Sequence, residues 1–272
     1  MALVAVCTPH GGNIPPEYNR AVIVMQGQTP QHTFINVEID LMVVGKARNV
    51  LVEEVLRGTQ AEVAWFIDQD VLVPPHSGVL IDQALQYGII SGLYFNRHSP
   101  YTPQMYRLSP YPGEEGLYES LVDYPKEGFI LADATGAGCL VIRRTVLEAM
   151  RDQHKSHTVE ARETLLGSLN GRNPFKAQQE LQWLLRYAEN LSPWFEFLDN
   201  KGEDFYFCER ARDCGFLTWV NLDVKCEHIG ALKIGEGHFQ YLKDQGLLVR
   251  LGPDGKPLSP TEERIPKPEV LA

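Results

Sequence analysis

Two features of the sequence predict an α/β fold with a mostly parallel central sheet flanked by helices. Through the first hundred residues, short β-branched runs alternate with amphipathic helical stretches, the signature of repeated βαβ units. The chain has 272 residues, 44% hydrophobic and 22% charged. That is ordinary globular composition for one large domain or two small ones, with no internal repeat and no low-complexity tract.

The elements follow in order. Leu3–Cys7 reads as a first strand, and the Pro15-Pro16 pair suits a helix N-terminus after it. Thr33–Ile39 is a second strand. Lys46–Arg57 is a helix that buries Val50, Leu51, Val55 and Leu56 and stops at Gly58. Val63–Ile67 is a third strand, a helix spans about Pro75 to Tyr87, and Ile89–Phe95 is a fourth strand. Residues 100–125, rich in Pro, Tyr and Gly, read as a folded-over loop or hairpin. Gly138–Arg143 is a further strand, and a helix begins at Thr145. Residues 151–192 are polar and helical in pattern, broken at Gly167–Pro174, and suit a lid. A helix from Glu203 to Cys214 ends at Gly215, a strand follows at Phe216–Val220, and the proline-rich tail beyond Gly252 reads as a surface arm.

Bulk properties narrow the function classes. A formal net charge of −10 argues against a passive nucleic-acid binder, though a local basic pocket for phosphates is compatible with it. Five scattered cysteines, odd in number, fit reduced thiols in the cytoplasm better than a disulfide scaffold. The apolar N-terminus lacks the basic region of a signal peptide, and no apolar run is long enough to span a membrane.

In parallel sheets ligands bind at the carboxyl ends of strands, which here end in Thr8-Pro9-His10, Asp40 and Asp68-Gln69-Asp70. Two carboxylates at i and i+2 on an extended segment point the same way and can hold a hard divalent cation that also takes diphosphate oxygens. Taken alone, Asp-x-Asp equally describes a solvated acidic turn. Glu203 and Asp204 open a helix, where the dipole favours negative charge whether or not they do chemistry. His228, near Cys226, reads either as a ligand or as a satisfied core histidine. Gly136-Ala137-Gly138 allows close backbone approach to a ligand or simply a tight turn. Trp194 reads as a sugar-ring platform or as core.

Taken together, the set resembles the GT-A glycosyltransferases, in particular the family 2-like enzymes of bacteria and their phages. The resemblance covers most of residues 2–230. It rests on Thr8-Pro9, Gly45-Lys-Ala-Arg48-Asn49, Asp68-Gln-Asp70, Thr135-Gly-Ala-Gly138, Gly202-Glu-Asp204 and His228. The turn at Thr8–Pro16 is longer and richer in glycine and proline than the family's usual form. The resemblance implies a single domain over residues 1–252, with a nucleotide-binding half (1–98) and an acceptor half (99–252), followed by the arm 253–272. It implies Mn2+ or Mg2+ on Asp70 and His228, with Asp68 near the donor ribose or reaching the metal through water. Thr8, Pro9, His10, Asp40, Arg48 and Gln69 would hold a nucleotide sugar, UDP-linked by the commonest pairing. Gly136, Ala137, Gly138 and Trp194 would face the sugar or the acceptor. Asp204, with Glu203 beside it, would be the general base of an inverting transfer, or would orient the acceptor or donor sugar in a retaining one; a glycan, a protein, a small molecule and a modified base are all open as acceptor. A nucleotidyltransferase and a non-catalytic sugar- or nucleotide-binding module are the alternatives, the first disfavoured because Gly11-Gly12 is a poor phosphate loop. Cys208, Cys214, Cys226 and His228 lack the spacing of a structural zinc site. Arg143, Arg144 and Arg151 read as a solvated basic face.

Overall fold

A computed structural model describes residues 1–40, 42–98, 101–111, 117–169, 192–198, 201–230 and 234–244; for residues 160–169 only the helix path is described. In chain order come β1 (Leu3–His10), α1 (Pro16–Gly27), β2 (Thr33–Asp40), α2 (Val44–Gly58), β3 (Val63–Ile67) and the short β4 (Val71–Leu72). A 3-10 turn at Pro75–Gly78 leads into α3 (Val79–Tyr87) and then β5 (Ile89–Leu93). There follow β6 (Met105–Leu108), β7 (Tyr118–Ser120), β8 (Phe129–Ala132), β9 (Ala134–Thr135), β10 (Cys139–Arg143) and α4 (Arg144–Leu169). Last are α5 (Glu203–Asp213), β11 (Thr218–Lys225), β12 (Glu227–His228) and α6 (Glu236–Asp244).

The central sheet has seven strands in the order β2-β1-β3-β10-β5-β11-β8. Strands β2, β1, β3, β5 and β11 run one way, while β10 and β8 run the other. Alternation along each strand sends side chains to two cores. Ala5, Cys7, Ala64, Phe66, Leu140 and Ile142 face α2, α4 and α5. Val4, Val6, Val63, Trp65, Ile67 and Val141 face α1 and α3. All five residues of β3 are buried, as expected for a central strand covered on both faces. Within the Pro- and Tyr-rich stretch, β6 pairs antiparallel with β7, and β6 also pairs with β9.

Some expectations change. Helix α2 starts at Val44 and buries Ala47, Arg48, Leu51, Val52, Val55 and Leu56, whereas Val50 is 39% exposed. Arg144 does not belong to a solvated face: its guanidinium donates to the carbonyls of Val55, Leu56, Thr59 and Ala61 and so closes the C-terminus of α2. Helix α4 continues through Gly167 to Leu169. The remainder of the expected break and lid, and the arm beyond Gly252, lie outside the described residues. Among the described residues, no helix is long and apolar enough to cross a membrane, and all five cysteines are free thiols.

Candidate active site

The carboxyl ends of β1, β3 and β5 and the N-termini of α2 and α5 meet at one edge of the sheet. There the chain turns directly after β3: the Val71 amide donates to the Asp68 carbonyl at 2.9 Å. Asp68 and Asp70 therefore do not lie side by side on an extended strand, as expected, but on a turn that gives each carboxylate its own partners.

Asp70 meets His228. Two-residue strands β4 and β12 pair antiparallel with Val71 opposite His228, and the Ile229 amide donates to the Asp70 carbonyl at 2.6 Å. This small ladder brings together residues far apart in sequence, leaving His228 Nε2 3.5 Å from Asp70 Oδ1. His228 Nδ1 lies 2.8 Å from the Phe95 carbonyl oxygen, so Nδ1 carries the hydrogen and donates it. In the neutral ring, the Nε2 lone pair then faces a carboxylate oxygen, an arrangement that calls for a cation between them. Burial pulls the His228 pKa down, but the hydrogen bonds to Asp70 and Phe95 outweigh it and the pKa rises. For Asp70, burial pushes the pKa up, and His228 and Arg97 more than reverse this, so it falls below its ordinary value. Arg97, just beyond β5, donates from Nη1 to Asp70 Oδ2 at 2.8 Å.

Asp68 is held from below. Arg48, on the second turn of α2 and 3% exposed, donates from Nη2 to both Asp68 carboxylate oxygens at 2.7 and 2.9 Å and from Nη1 to Glu203 Oε1. Burial of Arg48 opposes its charge, and Asp68, Glu203 and Asp204 overcome this, raising its pKa. The next residue, Asn49, exchanges hydrogen bonds with the Phe195 backbone at 2.6 and 3.0 Å, tying the approach to α5 to the same helix. Arg48 thus lies beneath the carboxylates and braces β3 against α5, where a contact with the nucleotide had been expected.

With Glu203 committed to Arg48, Asp204 is the open acid of the pair. Its carboxylate accepts from the Phe205 amide at 2.9 Å. Burial first, and the neighbouring Glu203 second, lift its pKa to about 6. Helix α5 has Gly202 at its N-cap with no side-chain cap, and the Asp204 carboxylate serves the first-turn amide of Phe205.

Other expected site residues sort differently. The Thr8 side chain is buried against the Tyr18 hydroxyl, and Pro9 is also buried. His10 is half-buried and accepts from the Gly12 amide at 3.2 Å, and Gln69 accepts from the Gly11 amide at 3.0 Å, so the first loop is pinned to the β3 turn. Asp40 is exposed at the end of the edge strand β2. The glycines at 136 and 138 are explained by Tyr94. A Cβ at Gly136 would collide with its hydroxyl, one at Gly138 would lie 3.0 Å from its ring, and the Gly138 amide donates to that hydroxyl at 3.0 Å. Ala137 is 1% exposed and packs in the core. The Trp194 platform is corrected: its ring is 1% exposed, with Nε1–H donating to the Leu147 carbonyl at 3.0 Å, because the Asn49–Phe195 bonds draw this segment into the core. The exposed ring nearby is Phe197, 55% accessible beside Gly45 and Glu203. Arg97 and Tyr94 were missed. Carrying the inspection of strand ends on to Ile89–Phe95 would have reached both.

Among the described residues, no three Cys, His, Asp or Glu side chains gather into a cation cage. Asp70 and His228 would supply two ligands, which suits a cation that keeps waters and takes substrate phosphate oxygens for the rest of its shell.

No family model and no curated protein matches the chain. Among solved structures, GalNAc-T7, determined with UDP, GalNAc and Mn2+, superposes with a TM-score of 0.51 at 10% identity over 85% of this chain. The match spans 44% of the GalNAc-T7 chain. A197 from STIV gives 0.49 at 15% identity, over 98% of both chains. S. aureus TarS gives 0.38 at 12% identity, over 82% of this chain and 58% of its own. The chain has a GT-A-like fold, a mixed α/β architecture around a mostly parallel seven-stranded sheet.

Proposed function

We propose that this protein is a metal-dependent glycosyltransferase, family 2-like, that moves a sugar from a nucleoside diphosphate, UDP by preference, to an acceptor hydroxyl. The observation that carries the proposal is the Asp70–His228 pair at the carboxyl edge of a GT-A-like sheet. The Phe95 carbonyl fixes the imidazole tautomer so that Nε2 and a carboxylate oxygen converge on one point. That point suits Mn2+ or Mg2+, which, when bound, neutralises charge on the departing nucleoside diphosphate. UDP and Mn2+ in GalNAc-T7, which shares the fold, are consistent with this choice.

The chain's own residues supply the rest. Arg48 holds Asp68 facing the same edge, where its carboxylate is placed to accept from donor hydroxyls such as those of the ribose. The first loop, His10 to Gly12, pinned by Gln69, forms one wall beside the donor, with Asp40 at its outer rim. Asp204, the open carboxylate with a raised pKa, takes the proton from the acceptor hydroxyl as that oxygen attacks the anomeric carbon and the diphosphate leaves, inverting the centre. Free thiols fit work in a reducing compartment such as the cytoplasm. Glycans, proteins, small molecules and modified bases all present a suitable acceptor hydroxyl.

Calorimetric titration with UDP and GDP, with and without Mn2+, tests the proposal. The expected result is Mn2+-dependent binding of UDP that Asp70→Ala abolishes. Equal UDP affinity in that variant would remove Asp70 from the site, and no nucleotide binding under any condition would overturn the transferase assignment.

A further inference from the structure

Arg97 stands out because its partner is the carboxylate to which the proposed function gives a second task. It follows β5 at the same edge of the sheet, its side chain is 54% exposed, and its Nη1 reaches Asp70 Oδ2 at 2.8 Å. Among the described residues, that bond is its one polar contact. Arg48, at the same edge, is buried, and both of its terminal nitrogens are engaged by Asp68 and Glu203. The edge therefore holds four carboxylates, Asp68, Asp70, Glu203 and Asp204, and would have to receive a multiply charged anion. A divalent ion on Asp70 offsets only part of that repulsion.

We propose that Arg97 has two alternating partners: Asp70 when the site holds no cation, and the donor diphosphate when a divalent ion occupies Asp70 and His228. This rests on the transferase proposal above and extends it to a specific diphosphate-binding residue. The exchange is physically inexpensive. An ion pair this exposed contributes little, and a guanidinium binds phosphate oxygens with the same forked geometry it offers a carboxylate. Once the cation takes Asp70, Arg97 loses its partner within reach of the point where cation-bound phosphate oxygens must lie. The two roles have opposite signs for cation binding: Arg97 competes with the bare cation for Asp70 and cooperates with the cation–diphosphate complex.

That opposition sets the test. Mn2+ alone and UDP in saturating Mn2+ are titrated into the wild-type chain, Arg97→Ala and Arg97→Lys, by calorimetry. In Arg97→Ala the affinity for UDP with Mn2+ is expected to fall about tenfold or more, the scale of a lost charge-assisted hydrogen bond. In the same variant the affinity for Mn2+ alone should rise by roughly two- to fivefold, because a competitor has gone. Arg97→Lys, which keeps the charge without the fork, should fall between on both counts. UDP affinity within twofold of wild type in Arg97→Ala would overturn the diphosphate role. A parallel loss of Mn2+ and UDP binding would overturn it as well, marking Arg97 as a mere support for Asp70. A wild-type chain that binds no UDP in Mn2+ would instead sink the transferase proposal itself, which keeps the two failures apart.

Discussion

Asp204 shows how a carboxyl proposed for chemistry can weigh against the fold. Lifting its pKa from 3.8 to about 6 means the folded state binds a proton that the unfolded chain has already lost. Between roughly pH 4 and 6 the native state therefore holds more protons than the unfolded one, and stability falls as pH rises. Above pH 6 the penalty is complete, on the order of 3 kcal/mol. Asp204→Asn keeps the shape and the bond from the Phe205 amide while removing the charge. The variant is expected to melt at a higher temperature than wild type at pH 8, with the gain vanishing toward pH 4. It should also lose about a hundredfold in turnover, the usual scale for a missing general base. Wild-type kcat/KM should rise with pH and level off above about 6. Thermal denaturation across that pH range checks the first effect and transfer assays the others; an unchanged melting temperature at pH 8, or near-normal turnover, would remove Asp204 from the role.

At the scale of elements, α2 is the member that positions the site. Its N-terminal turns carry Arg48 and Asn49 into the acidic cluster, and its far end, roughly 20 Å away, is closed by Arg144 from the start of α4. Arg144→Ala leaves the carbonyls of Val55, Leu56, Thr59 and Ala61 to water and should cost about 2 kcal/mol, read as a lower urea midpoint. Arg144→Lys should recover little, since a point ammonium cannot span four carbonyls. Nucleotide binding should be unaffected, and a wild-type midpoint for Arg144→Ala would show that solvent serves those carbonyls equally well. The two arginines also mark what the sequence does not disclose. Hydrophobic periodicity reveals where β1, α2 and β3 lie because burial is written in the spacing of apolar residues. An arginine on a helix looks alike whether it meets solvent or a neighbouring element, so the sequence alone suggests a nucleotide contact for Arg48 and a solvated face for Arg144. Trp194 and Phe197 are equally ambiguous: aromatic identity is visible in the sequence, whereas the Asn49–Phe195 bonds that bury one and leave the other exposed are tertiary. His228 reads from the sequence as a candidate ligand, but its partnership with Asp70 depends on the β4–β12 pairing, whose strands are too short to show a period.

For the whole molecule, the decisive element is β10. Strand periodicity carries no sign of direction, so the sequence shows a strand at 138–143 without showing that it runs antiparallel through the middle of the sheet. It inserts between β3 and β5: Cys139–Arg143 pair with Ile67–Val63 on one side, and Leu140–Ile142 pair with Ser91–Ile89 on the other. The proposed nucleotide-binding half, residues 1–98, therefore contains two strands, β3 and β5, that meet only through a strand contributed by the other half. One face of that half also relies on Val146, Leu147 and Met150 of α4 and on Phe207 and Ala211 of α5 for cover. Cutting at residue 98 would uncover fully buried apolar strands and leave their backbone groups unpaired, far more than a marginally stable fold can absorb. Residues 1–98 expressed alone should show no cooperative thermal transition and no UDP binding, while the full chain should melt in a single transition with the amides of residues 139–143 among the slowest to exchange. A cooperative transition in the fragment would mean that β1, β2 and β3 with their helices form an independent unit, and β10 would then be a later addition to a sheet that stands without it.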